Sequence, residues 1–450
     1  MSFQDFASAQ SFYIWSILIL SVILGMVVNK TNFCTMGAVS DLVNIGDKGR
    51  LRAWVLSATV AMFGVMILEY MGVFELTSSL PPYRGTQTNN PDMVEYSFPW
   101  GRFILGGVLF GVGMTLASGC GNKTLIRIGG GNIKSIFVFV IISVIAYYMV
   151  DPFKELESNW YQTYFSPWLD VAAFNMSTQS DLGSIAAGMT GGSAITLRLV
   201  IGSVVGAIAL FLIFKEADFR KSFDNILAGV VIGLVVVGAW YVTANGQVLD
   251  KETNEKVASA TITIVVDEEP ISMRGFVTEQ WEIEMGGEPK PKNAPTQLNQ
   301  TSYTFINPIG QITGYAKSGF SMSYFSFGVI AVLGVILGSF LWSLISRSFR
   351  IEWFVSWKDF GFHTIGAVLM GFGGVLGLGC TVGQAITGVS TLALGSFVVF
   401  ISIVFGSALT MKIQYYKMVY EEEAGFFKAL ITSLVDMKLL PGSLRQLEAV

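Results

Sequence analysis

The sequence contains few charged residues. They make up 13% of its 450 residues, against about 25% in an average soluble domain. The formal net charge is only −4, so the chain lacks the basic surface with which proteins bind nucleic acid. Hydrophobic residues account for 52% of the chain. This composition excludes an ordinary soluble domain and predicts a polytopic membrane protein surrounded by the lipid bilayer.

Cysteine and histidine are also scarce. The chain has three cysteines, Cys34, Cys120 and Cys380, and one histidine, His363. An odd number of widely separated cysteines argues against a disulfide framework. One histidine gives poor support to a Cys/His zinc site. We therefore expect no metal, no cofactor and no catalytic residues, and we expect His363 at the membrane interface.

Nine apolar segments are each close to the ~20 residues that cross a hydrocarbon core of about 30 Å. They predict an all-α polytopic fold with about nine transmembrane helices. The segments lie near 11–29, 53–73, 100–118, 134–150, 194–214, 226–244, 322–345, 360–379 and 391–413.

The connections between these segments differ in their content of Lys and Arg. Basic residues cluster in three connections, at 46–52, 215–221 and 346–358. They are sparse in three longer ones, at 74–99, 153–183 and 245–321. Because loops rich in Lys and Arg remain in the cytoplasm, we expect the first set to be cytoplasmic and the second external. The N-terminus is then external and the C-terminus cytoplasmic.

The membrane domain is interrupted by a polar insertion, so that its first part holds two cysteines and its second part holds the third. An alternating run in the insertion, "ATITIVVD", predicts a small hairpin or flap. The C-terminal tail has an amphipathic pattern that predicts a helix on the cytoplasmic surface. The expected divisions are the first part of the membrane domain (1–243), an external insertion (244–303), the second part (304–413) and the tail (414–450).

Two segments of the chain repeat each other. Residues 106–120 read "GGVLFGVGMTLASGC" and residues 366–380 read "GAVLMGFGGVLGLGC", with four glycines and the final cysteine in register. By loop charge the two copies cross the membrane in opposite directions. Inverted repeats with interrupted helices are typical of secondary transporters, whose sites lie near the membrane midplane.

Each cysteine is close to a short segment that cannot span a membrane. Residues 30–45, 121–133 and 381–390 are short and moderately polar, and the last two are rich in glycine, which predicts re-entrant half-helices. Irregular backbone at membrane depth is tolerated only where it is buried in protein or lines a polar cavity. We therefore expect all three cysteines to face one pathway.

The residue types near the cysteines favour an anion. Helix N-termini carry unpaired N–H groups and a partial positive charge. Lys30, Lys123 and Arg127 add cationic side chains close by in sequence, although interfacial snorkelling is an alternative for Lys123 and Arg127. A thiol is a weak donor with a polarisable sulfur, which suits a large, soft anion. Sulfur-containing anions fit this description.

Two acidic residues lie within or near predicted membrane segments, where an ionisable group suggests function. These are Asp41 and Glu69. Asp41 is expected to pair with Lys30 or to cap a half-helix.

A nucleotide-binding loop is excluded by its spacing. The segment "GCGNKT" (119–124) contains Lys-Thr but lacks the preceding glycine of G-x4-G-K-[ST] and follows no strand. We expect no ATP hydrolysis by this chain.

Three motifs resemble those of the YeeE/YedE family of bacterial membrane proteins. They are "TNFCTMGA" (31–38), "GCGNKTLIRIGGGN" (119–132) and "GCTVGQAITGVSTLALGS" (379–396), and "FINPIG" (305–310) also resembles the family. The resemblance covers residues 11–243 and 304–413.

The resemblance implies an hourglass-like inner-membrane transporter of sulfur compounds, in which thiosulfate passes along a line of cysteines. It also implies a possible small cytoplasmic partner, a sulfur carrier of the TusA type. We expect Lys30 and Asp41 as charge partners beside the pathway. The expected pathway residues are Cys34, Cys120, Cys380, Gly119, Gly121, Asn122, Lys123, Arg127, Gly379, Thr381, Gly383 and Gln384.

Three hypotheses follow. The leading one is a thiosulfate importer, channel-like or a secondary carrier, with Cys120 as the main contact. The second keeps transport but changes the cargo to a selenium compound such as selenite, to sulfite or to another sulfur anion. The third is a membrane-embedded sulfurtransferase or redox enzyme; no nearby histidine or C-x-x-C pair favours it, and we expect the protein not to be an enzyme.

Overall fold

The computed structural model describes residues 1–74, 76, 86–87, 94–249, 256–266, 269–273, 298–420 and 424–448. Most of these residues are helical. In chain order the helices are α1 (Phe6–Lys30), α2 (Thr35–Asn44), α3 (Gly49–Tyr70), α4 (Trp100–Leu116), α5 (Gly121–Gly129), α6 (Ile133–Val150), α7 (Ser166–Leu169), α8 (Leu182–Thr190), α9 (Ala194–Phe214), α10 (Ala217–Lys221), α11 (Phe223–Val242), α12 (Ile306–Lys317), α13 (Phe327–Ile345), α14 (Trp357–Leu376), α15 (Leu394–Val419) and α16 (Phe426–Asp436).

Nine helices within the described residues are long and apolar enough to cross a membrane, as the sequence predicts. They are α1, α3, α4, α6, α9, α11, α13, α14 and α15, with α2 and α5 as short continuations of α1 and α4. The all-α polytopic fold is therefore confirmed. The predicted boundaries differ from the observed ones by up to six residues. Two of the observed extensions are at α3, which already begins at Gly49, and at α15, which continues beyond residue 413 to Val419. Both extensions contain Lys or Arg, which lower hydropathy but are good helix formers.

Several helices begin at a side chain that accepts a backbone N–H. Asp5 caps α1, Asn132 caps α6 and Ser356 caps α14, each by accepting from the N–H three residues later. The short helices α2 and α5 instead begin after Cys34 and Cys120, which make no side-chain capping hydrogen bond. The first N–H groups of a helix have no partner within the helix. In α5 the N–H of Lys123 interacts with the Cys120 sulfur, and the N–H groups of Gly121 and Asn122 before it remain available to a ligand.

The two copies of the repeat, α4 and α14, pack antiparallel through glycines. A Cβ on Gly113 would lie 2.7 Å from the carbonyl oxygen of Gly366, and one on Gly373 would lie 2.8 Å from that of Gly106. Only a residue without a Cβ permits this approach of two backbones. A shift of 260 residues maps Gly106 onto Gly366 and Gly113 onto Gly373, so the two contacts are equivalent under a two-fold relation.

The two copies also end in the same turn. Ser118 and Leu378 have φ angles of 59° and 56°, a left-handed conformation that is uncommon for residues other than glycine. The following N–H groups, of Gly119 and Gly379, each donate to the carbonyl five residues earlier at 2.8 Å. The repeat is thus present in three dimensions as well as in sequence.

Within the described residues, eight short strands lie outside the helical bundle. Strands β3 and β4 pair antiparallel, β5 pairs with β6, β7 forms a hairpin with β8, and β1 at the N-terminus pairs parallel with β7. The run "ATITIVVD" (260–267) contains the whole of β7. Much of the expected insertion, at 250–255, 267–268 and 274–297, lies outside the described residues. The strands are β1 (Ser2–Phe3), β2 (Thr86–Gln87), β3 (Val94–Phe98), β4 (Phe174–Met176), β5 (Asn245–Leu249), β6 (Lys256–Ala260), β7 (Thr263–Val266) and β8 (Glu269–Ser272).

The contacts between loops are consistent with the predicted assignment of the loops to the external and cytoplasmic sides of the membrane. The β1–β7 and β3–β4 pairs each join two segments expected on the external side. Arg52 and Glu216, both expected on the cytoplasmic side, form an ion pair of 3.3 Å. Each of these three contacts therefore joins two segments that are expected on the same side of the membrane.

A buried ion cluster fixes α9 and α8 to α3. Arg198 on α9 donates to Glu69 on α3, and its Nε donates to Asp181, the N-cap of α8, at 2.8 Å. All three side chains are at most 5% exposed. Glu69, expected from its position to be functional, is therefore held in a structural cluster.

Candidate functional site

Each cysteine lies at the start of a short helix. Cys34 and Cys120, with extended backbone, precede α2 and α5. Cys380 precedes one α-helical turn that continues as a π-helix, Gly383–Gly388. A short helix is thus present at all three positions, mainly π-helical at the third, and the re-entrant course of these helices stays a prediction. A π-helix is wider than an α-helix and is frequent at functional sites.

The three thiols converge on Cys120. The Cys120 thiol lies within electrostatic range of both Cys34 and Cys380. All three cysteines are free, with exposures of 6%, 2% and 0% for Cys34, Cys120 and Cys380. The sequence places them in three separate segments, and the packing of the helices brings both Cys34 and Cys380 near Cys120.

Each cysteine is accompanied by a buried polar side chain that lacks a partner among the described residues. Thr35 follows Cys34 and is 2% exposed, and its Oγ1 has no hydrogen-bond partner. Asn122, in the first turn after Cys120, is also 2% exposed with an unpartnered Oδ1. Thr381 is fully buried, and its Oγ1 faces only the Cys120 thiol. A buried polar atom without a partner is costly, so these three atoms, grouped around the thiols, are available to a ligand.

Thr35 was not identified from the sequence, although a signal existed. Cys34 and Cys380 both begin the pattern C-T-x-G, in "CTMG" and "CTVG". A comparison of these two segments alone would have paired Thr35 with Thr381.

Cys380 has the most polar surroundings of the three cysteines. Its sulfur interacts with the backbone N–H groups of Val382, Gly383 and Phe305 and with the hydroxyl of Thr304. The Thr304 Oγ1 has no other partner among the described residues. Thr304, which directly precedes the "FINPIG" motif, was also missed by the sequence analysis.

The predicted glycines and Gln384 support this arrangement. A Cβ on Gly379 would lie 3.1 Å from Thr304 Oγ1, and one on Gly121 would lie 3.3 Å from Ile306. Gln384 donates to the Gly377 carbonyl at 2.7 Å and accepts from Ser396 at 2.6 Å. Its amide is therefore engaged in holding the turn before Cys380.

The cationic residues lie next to Cys34 and Cys120. Lys123 Nζ donates to Asn32 Oδ1 at 2.5 Å, and it lies within electrostatic range of both thiols and of Arg127. Among the described residues, neither Lys123 nor Arg127 forms an ion pair. Two cations without carboxylate partners favour an anion beside them.

The expected pairing of Asp41 with Lys30 is wrong. Asp41 pairs with Arg50 at 2.6 Å, because the turn between α2 and α3 returns the chain onto α2. Lys30 instead lies 3.6 Å from Asp224 on α11. Asp41 lies in the middle of α2 and caps no helix.

A cavity of about 130 Å³ lies beside Cys380. Thr304, Gly383, Gln384 and Trp240 line it together with further hydroxyl groups. The Trp240 indole N–H has no partner among the described residues. The cavity is large enough for a small anion and offers it neutral donors.

A second cavity, of about 590 Å³, lies at the opposite end of the repeat. Met36, Ser118, His363 and Met411 are among its lining residues. His363 is 6% exposed, and its Nδ1 lies 3.0 Å from the Asp359 carboxylate. It is therefore buried beside this cavity, near the start of α14, and its expected position at the membrane interface stays a prediction. In the described part of the chain, no three His, Cys, Asp or Glu side chains are grouped to hold a metal ion.

The fold and the site together define a class of protein. A multi-pass helical bundle with an inverted repeat, and with short helices that begin at buried polar positions, is the architecture of a secondary transporter. The sequence comparisons give the family. The protein-family model described as "Sulphur transport" matches residues 30–281 and 291–409 of this chain. The chain therefore belongs to this family, the YeeE/YedE family.

Two relatives are named as thiosulfate transporters. TsuA of Escherichia coli (strain K12) is 22% identical over 393 residues, which cover 82% of this chain and 85% of the relative. TsuA of Spirochaeta thermophila is 22% identical over 395 residues, which cover 88% of this chain and 97% of the relative.

Proposed function

We propose that this protein imports thiosulfate across the bacterial inner membrane, passing the anion along Cys380, Cys120 and Cys34 without ATP hydrolysis. The observation that carries the proposal is the position of the Cys120 thiol within electrostatic range of the other two, next to buried polar atoms without partners. The names of the two relatives support thiosulfate as the cargo.

The chemistry of the pathway suits an ion with a soft end and a hard end. Thiols contact the terminal sulfur of thiosulfate, because sulfur is polarisable and only weakly hydrated. The backbone N–H groups of Gly121, Asn122 and Thr381, with the Thr381 hydroxyl and the Asn122 side-chain N–H, hold the oxygens. The contacts are non-covalent, so no thiol is oxidised and no bond of the anion breaks.

The unpaired cations give the pathway a direction. Lys123 and Arg127 lie on the side whose loops are rich in Lys and Arg, which the positive-inside rule assigns to the cytoplasm. They stabilise the anion after it leaves Cys120. The C-terminus and the 590 Å³ cavity then face the cytoplasm, where a TusA-type sulfur carrier would collect the released sulfur compound.

Replacement of Cys120 by alanine tests the proposal. We expect thiosulfate uptake into proteoliposomes to fall by at least about tenfold, because one lost contact worth ~1.4 kcal/mol changes a rate by that factor. Ser433→Ala, which changes a buried residue of α16 far along the chain from the cysteines, is the matched control and should retain uptake.

Three results would contradict parts of the proposal. Unchanged uptake by the folded Cys120→Ala protein would exclude the cysteine pathway. Stronger uptake of selenite or sulfite than of thiosulfate would change the cargo. A stable mass increase on one cysteine after exposure to thiosulfate, with turnover, would favour a sulfurtransferase.

A further inference from the structure

A third cavity, of about 400 Å³, adjoins the small cavity beside Cys380. The two cavities share Thr304 and Leu378 as lining residues, and the larger one also touches Gly379. We call the larger one the outer chamber; Arg102, Tyr161 and Asn307 are among its lining residues. By loop charge it lies on the external side, directly before Cys380.

Arg102 is fixed in this chamber by its hydrogen bonds. Its Nε donates to the carbonyl of Leu376 at 3.0 Å, and its Nη2 donates to that of Val375 at 3.2 Å. These carbonyls belong to the last turn of α14, where the helix dipole is negative and a cation is favourable. Arg102 also forms a side-chain hydrogen bond with Tyr161. A guanidinium has five N–H groups, so donors beyond these three contacts remain for a ligand.

The charge of Arg102 is not neutralised by an ion pair within the described part of the chain. The guanidinium lies 4.0 Å from the centre of the Tyr161 ring. Asp170 lies within electrostatic range of the guanidinium but forms no ion pair with it, and it accepts a hydrogen bond of 2.6 Å from the Tyr161 hydroxyl. A rigid cation that lines a cavity without a carboxylate contact favours an anion there.

A second side chain points to the same ligand independently. Asn307, on α12, lines the chamber, and its side-chain amide makes no hydrogen bond within the described residues, so its Nδ2 hydrogens can donate to a ligand. Thr304, at the boundary with the small cavity, also has an unpartnered hydroxyl apart from its contact with Cys380. An amide and a hydroxyl next to a guanidinium form a set that recognises the oxygens of an anion.

We infer that the outer chamber is a separate binding site, which selects divalent oxyanions by charge and oxygen geometry before the cysteines select by sulfur. This inference rests on the proposed transport of thiosulfate. It adds that sulfate, which has the charge and the oxygens but no terminal sulfur, occupies the outer chamber and is not carried further.

Uptake kinetics with sulfate as a competitor test the inference. In proteoliposomes with the wild-type protein, sulfate should inhibit thiosulfate uptake competitively without itself being accumulated. Arg102→Gln should raise the KM for thiosulfate and the inhibition constant for sulfate about tenfold or more, with a small effect on the maximal rate. Arg102→Lys should restore part of the affinity, because it retains the charge but loses the planar fork.

Asn307→Ala is a second variant, which leaves the contacts of Arg102 with α14 intact and tests the inference even if Arg102→Gln fails to fold. It should raise the KM for thiosulfate and the inhibition constant for sulfate by similar factors. The inference would be contradicted if Asn307→Ala and a folded Arg102 variant both kept the wild-type KM for thiosulfate and inhibition constant for sulfate. It would also be contradicted if sulfate did not compete with thiosulfate in the wild-type protein.

Direct binding separates failure of the chamber from failure of the transport proposal. Sulfate binding to the purified protein, measured by calorimetry, should weaken in Asn307→Ala and be retained in Cys120→Ala. If the wild-type protein binds sulfate in this pattern but carries no thiosulfate, the chamber stands and the transport proposal fails. If thiosulfate is carried but sulfate does not bind, only the chamber fails.

Discussion

Residues with the same side chain have different roles along the pathway, because their hydroxyl groups have different partners. Thr387 donates to the Tyr303 carbonyl at 2.7 Å, which ties the π-helix to the segment before α12. Thr381, six residues earlier, faces the Cys120 thiol and has no other partner among the described residues. The first hydroxyl therefore contributes to stability, whereas the second is available to the anion.

The two threonines provide a matched pair of variants. Thr381→Val should leave the thermal unfolding temperature in detergent nearly unchanged, because it removes a hydroxyl without a strong partner, but it should lower thiosulfate uptake about tenfold. Thr387→Val should destabilise the fold by about 1 kcal/mol, because it leaves a buried carbonyl without its donor. Equal effects of both variants on uptake and on unfolding would contradict these roles.

At the scale of elements, the peripheral helix α9 depends on charge for its attachment. Only 22% of its membrane-spanning window is buried, so few apolar contacts hold it. Arg198 supplies the link to Glu69 and Asp181. Removal of one partner from a buried ion cluster is costly because the remaining charges are left uncompensated.

Arg198→Met should therefore destabilise the protein by about 3–5 kcal/mol. The expected observation is a lower unfolding temperature in detergent and faster hydrogen exchange in α8 and α9. Arg220→Met, which removes an exposed arginine of α10, is the control and should change neither quantity. An unfolding temperature equal to that of the wild type would show that the cluster is not needed for the attachment of α9.

At the scale of the whole molecule, the antiparallel contact of α4 with α14 places the ends of the two repeats. Each helix ends in the same left-handed turn, so that Cys120 and Cys380 start their short helices from equivalent positions. The glycine contacts set the distance between the two helices. We therefore expect the alignment of the thiols to be sensitive to the width of this contact.

Gly366→Ala tests this dependence. Its Cβ would lie 2.6 Å from the backbone nitrogen of Ala117, three residues before Cys120, so the helices must separate. We expect a loss of about 1–3 kcal/mol in stability and a fall in uptake. Gly361→Ala on the same helix is the control, because a Cβ there meets nothing within 4 Å. Equal behaviour of the two variants would contradict a role for the α4–α14 contact.

The nine membrane spans, the repeat and the short helices after the three cysteines can all be predicted from the sequence. Hydropathy over about 20 residues and glycine–cysteine spacing are local properties, so they can be read without knowledge of packing. The helix α12 was missed for the same reason: its mean hydropathy is low, and its apolar side is defined only by the helices around it.

Which residues contact each other is seen only in the tertiary structure. Asp41 pairs with Arg50 rather than Lys30, and Thr304 and Arg102 reach the neighbourhood of Cys380 from distant parts of the chain. Such contacts depend on which helix faces pack together, and a single sequence does not specify the neighbours of a helix that is apolar on most sides. The cysteines were visible in the sequence, but only the packing of the inverted repeat brings their thiols together.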